Sequence, residues 1–68
     1  MEQINKKIKE LREHLGLTQG EFAGLVDITS GHLSMIEAGK RSPSIDLFTR
    51  ICETFHITPN RLSRKNGS

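Results

Sequence analysis

Signals that start and stop helices recur along this chain at intervals too short for any long element. Gly16, Gly39 and the Ser42-Pro43 step interrupt it, while Thr18, Thr29, Ser44 and Thr58 each stand where a hydroxyl caps a new helix. Between these marks, apolar residues recur three and four positions apart, the repeat of one helix face. Ile4, Ile8, Leu11 and Leu15 form the first stripe, and Gly16 suits the left-handed residue that closes a helix. Thr18 opens the second helix, where its hydroxyl caps the N–H of Glu21 and the Glu21 carboxylate reaches back, a capping box. Phe22, Ala23, Leu25 and Val26 supply the buried side of that helix. Asp27 and Ile28 break the pattern, and Thr29 caps a third helix with Leu33 and Ile36 inward.

Gly39 ends that helix, and Pro43 disfavours the helical region for Ser42. Ser44 then caps a fourth, with Asp46 favourable in its first turn. Its expected stripe is Ile45, Phe48, Ile51, Cys52 and Phe55, with Leu47 beside the stripe and free for a contact between two copies of the chain. Thr58 caps and Pro59 starts a last short helix that Leu62 packs down, and residues 63–68 form a polar, flexible tail. The expectation is an all-α fold: a compact bundle of five short helices, without strands or internal repeats.

A chain of 68 residues holds one domain and buries only about 60% of its unfolded surface. With 34% apolar residues, three Phe and no Trp or Tyr, the core is thin and aliphatic. That excludes a deep enclosed active site and favours a binding or regulatory module over an enzyme. No nucleophile has a base at a suggestive position. Gly16, Gly20 and Gly24 lack the preceding strand that a phosphate-binding loop requires. The single Cys52 excludes an intramolecular disulfide and a cysteine zinc cluster, and reads as a small buried hydrophobe. His14, His32 and His56 show no metal-ligand spacing, so neither metal nor cofactor is expected, nor any small-molecule ligand. No apolar run approaches the ~18 residues of a membrane span, and the N-terminus lacks a signal-peptide core, so a cytoplasmic setting is expected.

The net charge is only +2, but its distribution is uneven. Lys6, Lys7, Lys9 and Arg12 lie near the start, Lys40 and Arg41 in the middle, and Arg61, Arg64 and Lys65 at the end. Between residues 18 and 39 there is no Lys or Arg, against Glu21, Asp27 and Glu37. That segment is also the most informative one. Two short helices joined by a tight turn, with the small Ala23 where their axes approach, describe a helix-turn-helix over about residues 19–38.

The stretches "LREHLGLTQGEFA", "LSMIEAGKRSPS" and "LFTRICETFHITPNRL", in this order and spacing, resemble the phage-repressor, Cro-like and Xre-like helix-turn-helix regulators. The resemblance covers residues 8–62, with residues 1–7 beginning the first helix. It implies the compact lambda-repressor-like domain and double-stranded DNA as partner, bound by a homodimer on a palindromic site. By the same resemblance, the helix beginning near Thr29 enters the major groove, in a prokaryotic or phage regulator acting as repressor or activator. Gln19 falls where the family contacts a phosphate or an outer base. Ser30, Gly31 and Met35 fall where it reads bases, with Thr29, His32 and Ser34 at or beside that face. Lys40, Arg41 and Ser42 match its phosphate-holding loop, and Arg12 with Glu37 matches an ion pair joining the first helix to the third. Asp27 stands where the family commonly has Gly, a place that asks for positive φ, which Asp tolerates better than most residues.

The expected reading surface contains none of the Arg, Asn or Gln side chains that discriminate bases best, by about 1–3 kcal/mol each. Direct readout is therefore expected to be modest and supplemented by DNA shape and by pairing of half-sites. Phosphate neutralisation falls to Lys40 and Arg41 first and to Lys6 and Lys7 next, although Lys6, Lys7 and Lys9 read first as a solvated helix face. A second class of function fits the same fold: a module that grips a partner protein, as an antitoxin or adaptor does. Protonation of His32 beside DNA adds positive charge near the phosphates, so duplex binding should strengthen as pH falls from 8 to about 6. Titrating DNA affinity across that range in the native chain and in His32→Gln checks this, and an unchanged pH dependence in the variant refutes it.

Overall fold

The computed structural model describes residues 2–58 and 62, with the side chains of residues 4–58 and 62. Four helices follow in order: α1 (Glu2–His14), α2 (Gln19–Leu25), α3 (Ser30–Glu37) and α4 (Ile45–Thr54). Among the described residues there is no strand. No described helix is long and apolar enough to cross a membrane. The expected fifth helix falls mostly on residues outside the described ones. Leu62 is described: it is buried, and its N–H donates to the carbonyl of Thr58 at 3.2 Å. The expected tail over residues 63–68 lies outside the described residues.

The starts of α2, α3 and α4 are each set by a side chain found in the sequence. Thr18 and Glu21 form the reciprocal capping box, with Glu21 N–H donating to Thr18 Oγ1 at 3.1 Å and Thr18 N–H to Glu21 Oε1 at 2.8 Å. Thr29 accepts from the N–H of His32 at 3.0 Å, and Ser44 from that of Leu47 at 3.1 Å. The ends are set by left-handed residues. Gly16 (φ 73°) follows α1 and Gly39 (φ 78°) follows α3. The turn between α2 and α3 holds Asp27 at φ 62°, and His56 at φ 57° follows α4. The Asp27 conformation matches expectation. That of His56 has no sequence signal, because a His there announces nothing.

The core comprises Ile8, Phe22, Ala23, Val26, Leu33, Ile36, Leu47, Ile51, Cys52 and Leu62, with Ile4, Leu11, Leu17, Ile28, Phe48, Phe55 and Ile57 packed against it. Phe22 and Phe55 stack with ring centroids 4.9 Å apart and planes 19° from parallel, joining α2 to the end of α4. Three expected core positions are corrected. Leu15 is 42% exposed because α1 ends at His14, so Leu15 lies in the turn and off the helical stripe. Leu25 is 54% exposed because it lies about 100° from the centre of the arc made by Phe22, Ala23 and Val26. Ile45, the first residue of α4, is 85% exposed, whereas Leu47 is buried. The buried arc of α4 is thus shifted by one side chain from the expected stripe, and Leu47 is withdrawn from any contact between copies.

Two polar side chains fasten the bundle in ways the sequence did not announce. Asn5, 4% exposed on the inner face of α1, donates from Nδ2 to the carbonyls of Ile36 (2.6 Å) and Arg41 (2.7 Å). One amide thereby holds both the last turn of α3 and the loop that follows it. Arg50 of α4 donates from Nη1 to the carbonyl of Val26 at 3.0 Å, closing the helix-turn-helix turn from behind. Removing the Asn5 amide takes the donor from the Arg41 carbonyl and leaves the Ile36 carbonyl with the Gly39 N–H at 3.0 Å, and an unsatisfied buried group costs about 1–3 kcal/mol. Asn5→Ala is therefore expected to lower the urea midpoint by the equivalent of at least ~1 kcal/mol with an unchanged denaturant slope, and an unaltered midpoint would show that the anchor contributes nothing.

Candidate nucleic-acid interface

Helix α3 carries two opposed arcs because residues advance about 100° each along a helix. Leu33 and Ile36 point into the core, while Ser30, Gly31, Ser34 and Met35 share the outward arc and are exposed. His32 sits at the border, half-buried. Met35 keeps 44% of its surface in solvent, a flexible apolar side chain among small polar neighbours. Thr29 is exposed at the head of α3, but its hydroxyl oxygen is occupied as the cap of His32 N–H. Lys40, Arg41 and Ser42 are exposed in the loop after α3. The Asn5 bond to the Arg41 carbonyl fixes the backbone of that loop while its side chains remain in solvent. The structure therefore brings Ser30, Gly31, Ser34 and Met35 onto one face, with the loop cations at the far end of the same helix.

Gln19, the first residue of α2, is placed differently from the others. It is half-buried, and its Nε2 donates to Glu37 Oε1 at 3.0 Å. Glu37 in turn receives a forked pair of bonds from Arg12, Nε to Oε2 at 2.7 Å and Nη2 to Oε1 at 3.1 Å. The third arm of the guanidinium, Nη1, donates to the Leu17 carbonyl at 2.8 Å, just ahead of α2. The expected Arg12–Glu37 pair is present, and it extends further than expected, into Gln19 and Leu17. Lys9, Arg12, Glu13, Gln19, Ser34, Glu37 and Ala38 border a cleft of about 430 Å³ that adjoins the outward arc of α3 through Ser34. A second cleft, of about 590 Å³, lies on the other flank of α1 and brings His14 and His56 together with Lys7, Glu10 and Leu11. Among the described residues no group of three His, Cys, Asp or Glu side chains is placed to hold a metal ion.

The charges at the pair follow from burial and bonding. Burial alone would raise the Glu37 carboxyl, but hydrogen bonds from Arg12 and Gln19 and the charges of Arg12 and Lys9 hold it below its usual range. The hydrogen bond to Glu37 pushes the Arg12 guanidinium up against the opposing effect of burial, with the charges of Glu37 and Glu13 adding to the rise. The Cys52 thiol is raised by burial and by the neighbouring Glu53, which keeps it protonated and inert inside the core.

Because Glu37 is a stronger acid folded than unfolded, its contribution to stability is complete above the ordinary Glu value of about 4.3 and is lost as pH falls through the lower folded value. In Arg12→Ala the Glu37 side chain, 4% exposed in the native pair, keeps its burial and loses its counter-charge. That variant is expected to lose about 3 kcal/mol at pH 7, as broken buried pairs do. Its deficit should shrink on acidification as Glu37 takes up a proton. Denaturant melts of both proteins at pH 7 and pH 4 test this, and equal deficits at the two pH values would exclude an ionised, unpaired Glu37.

Comparison with known proteins agrees with this geometry. A family model described as helix-turn-helix matches residues 8–62. The antitoxin PezA of Streptococcus pneumoniae serotype 4 is 44% identical over 55 residues, covering 81% of this chain and 35% of that protein. The HTH-type transcriptional regulator DdrOP3 of Deinococcus deserti is 32% identical over 57 residues, covering 84% of this chain and 44% of that protein. An uncharacterized HTH-type transcriptional regulator of Bacillus subtilis, YgzD, is 33% identical over 54 residues, covering 79% of this chain and 82% of that protein. The chain thus spans about a third to under half the length of the first two relatives. With the capped helices, the tight Asp27 turn and the family match over residues 8–62 together, the chain belongs to the helix-turn-helix family, of the lambda-repressor-like and Xre-like kind.

Proposed function

We propose that this chain binds double-stranded DNA in a sequence-specific manner and regulates transcription, reading the major groove with α3 from Thr29 onward. The observation that carries this reading is the outward arc of α3. Ser30, Gly31, Ser34 and Met35 stand exposed beside one another, backed by buried Leu33 and Ile36 and followed by exposed Lys40, Arg41 and Ser42. Small hydroxyls bond to any base edge, Gly31 permits close approach of the backbone, and Met35 offers an apolar surface for a thymine methyl. In the same reading Thr29 and His32 flank the groove, Gln19 meets a phosphate or an outer base, and Lys40 and Arg41 neutralise phosphates.

The functional unit is residues 8–62. It acts as a homodimer on a palindromic site, as repressor or activator, in the cytoplasm and without cofactor. The chemistry is binding, not catalysis. The relatives named as transcriptional regulators support this assignment. A second reading, a module that grips a partner protein, is favoured by the 44% identity to an antitoxin and by the lack of Lys and Arg between residues 18 and 39.

Selection from a random duplex pool at low salt, with competitor DNA, tests the two readings. Enrichment of a palindrome with half-sites about one helical turn apart is expected, whereas no enrichment turns the assignment toward a protein partner. On the enriched site, Lys40→Ala and Arg41→Ala should each reduce the slope of log affinity against log salt by about 1 without altering the preferred sequence. Ser30→Ala and Met35→Ala should instead alter preference at single base pairs.

A further inference from the structure

Resting on the DNA-binding reading, we propose that Glu37 is a positioning residue for DNA contact: by holding the side-chain amide of Gln19, it fixes which atoms of that amide face a nucleic-acid strand. An ionised carboxylate accepts hydrogen bonds and donates none. Glu37 therefore selects the nitrogen end of the amide, and Gln19 Nε2 lies 3.0 Å from Glu37 Oε1. That leaves the second Nε2 hydrogen and the carbonyl Oε1 of Gln19 for an outside partner. A free glutamine samples both ends of its amide; this one presents a single arrangement. The clamp is itself rigid, because the forked bonds from Arg12 hold both Glu37 oxygens and Arg12 is tied to the Leu17 carbonyl.

The position of the clamp gives it a role beyond holding the fold. Gln19 and Ser34 border the same cleft, together with Lys9 and Glu37, so the held amide lies at the junction of the α2 start and the outward arc of α3. The outside partner is a hydrogen-bond acceptor of the DNA: a phosphate oxygen, which takes the free N–H alone, or an outer base edge such as adenine, which takes N–H and carbonyl together. The ion pair would then serve two purposes. It joins α1 to α3, and it orders a DNA contact before DNA arrives, which spares the side-chain entropy otherwise lost on binding.

The test is a double-mutant cycle on the selected duplex, using the full chain. Gln19→Ala should weaken binding about threefold to tenfold for a base edge, the range of one neutral hydrogen bond, and more than about tenfold for a phosphate, whose charge strengthens the bond. Glu37→Met removes the acceptor and leaves the Arg12–Leu17 bond, and it should weaken binding by a similar factor. Combined with Gln19→Ala, it should weaken binding no further. Should Glu37→Met not fold because Arg12 is left unpaired, Arg12→Met/Glu37→Met replaces it, since apolar replacement of both partners is commonly tolerated. A base contact shows as a changed preference at one outer base pair in Gln19→Ala, and a phosphate contact as a uniform loss. Independent losses that multiply in the combined variant overturn the proposal, as does native affinity in Glu37→Met or in Gln19→Ala. If the unaltered chain enriches no duplex, the DNA-binding reading falls and this proposal with it, an outcome distinct from the loss of positioning alone.

Discussion

One carboxylate joins three parts of this protein that are far apart in sequence. Glu37, in the last turn of α3, receives Arg12 from α1 and Gln19 from the start of α2, while Arg12 also holds the carbonyl of Leu17. The side chains of Arg12 and Glu37 are only 14% and 4% exposed. Such a pair is weak evidence for net stability, since desolvation offsets much of the attraction. Its value lies in geometry. An aliphatic core is non-directional and tolerates small rotations of short helices, whereas a forked guanidinium–carboxylate bond accepts one arrangement. The angle at which α3 is presented is therefore set by this clamp as well as by the packing of Leu33 and Ile36 beneath it.

The other directional contacts work in the same way. Asn5 fixes the end of α3 and the loop of Lys40 and Arg41 through two backbone carbonyls, and Arg50 fixes the turn before α3 through the carbonyl of Val26. Each is a polar side chain reaching a backbone carbonyl distant in sequence, and the Ile36 carbonyl accepts from the Gly39 N–H as well. With the Glu37 clamp they hold α3 at both ends and leave its outward arc free. The candidate interface is thus built from small side chains on a helix whose surroundings, not whose own residues, supply rigidity. That suits a surface carrying Gly31 and two serines, which have little bulk with which to order themselves.

Local signals in the sequence translated well where the physics is local. A capping hydroxyl acts within three residues, and a left-handed glycine acts on itself. So Thr18, Thr29, Ser44, Gly16 and Gly39 mark the helices where the structure has them. The same holds for the outward arc: Ser30, Gly31, Ser34 and Met35 share a face by helical geometry alone, and the burial of Leu33 and Ile36 decides which face that is. The stripes failed at their ends. Leu15, Leu25 and Ile45 continue an apolar repeat but lie past a helix end, off the arc or at a first turn, where no other element covers them.

What the sequence determined by itself was the capped starts of α2, α3 and α4, the glycines that follow α1 and α3, the positive φ at Asp27, the partnership of Arg12 with Glu37 through its resemblance to a known family, and the face of α3 that meets solvent. Only the tertiary structure decided that Leu47 and not Ile45 completes the core, that Asn5 and Arg50 reach backbone carbonyls across the bundle, and that Gln19 is held by Glu37. The division has one physical cause. Helix caps and helical periodicity are fixed by neighbours within a turn or so, whereas these contacts join residues 18 to 36 positions apart and exist only once the helices have packed.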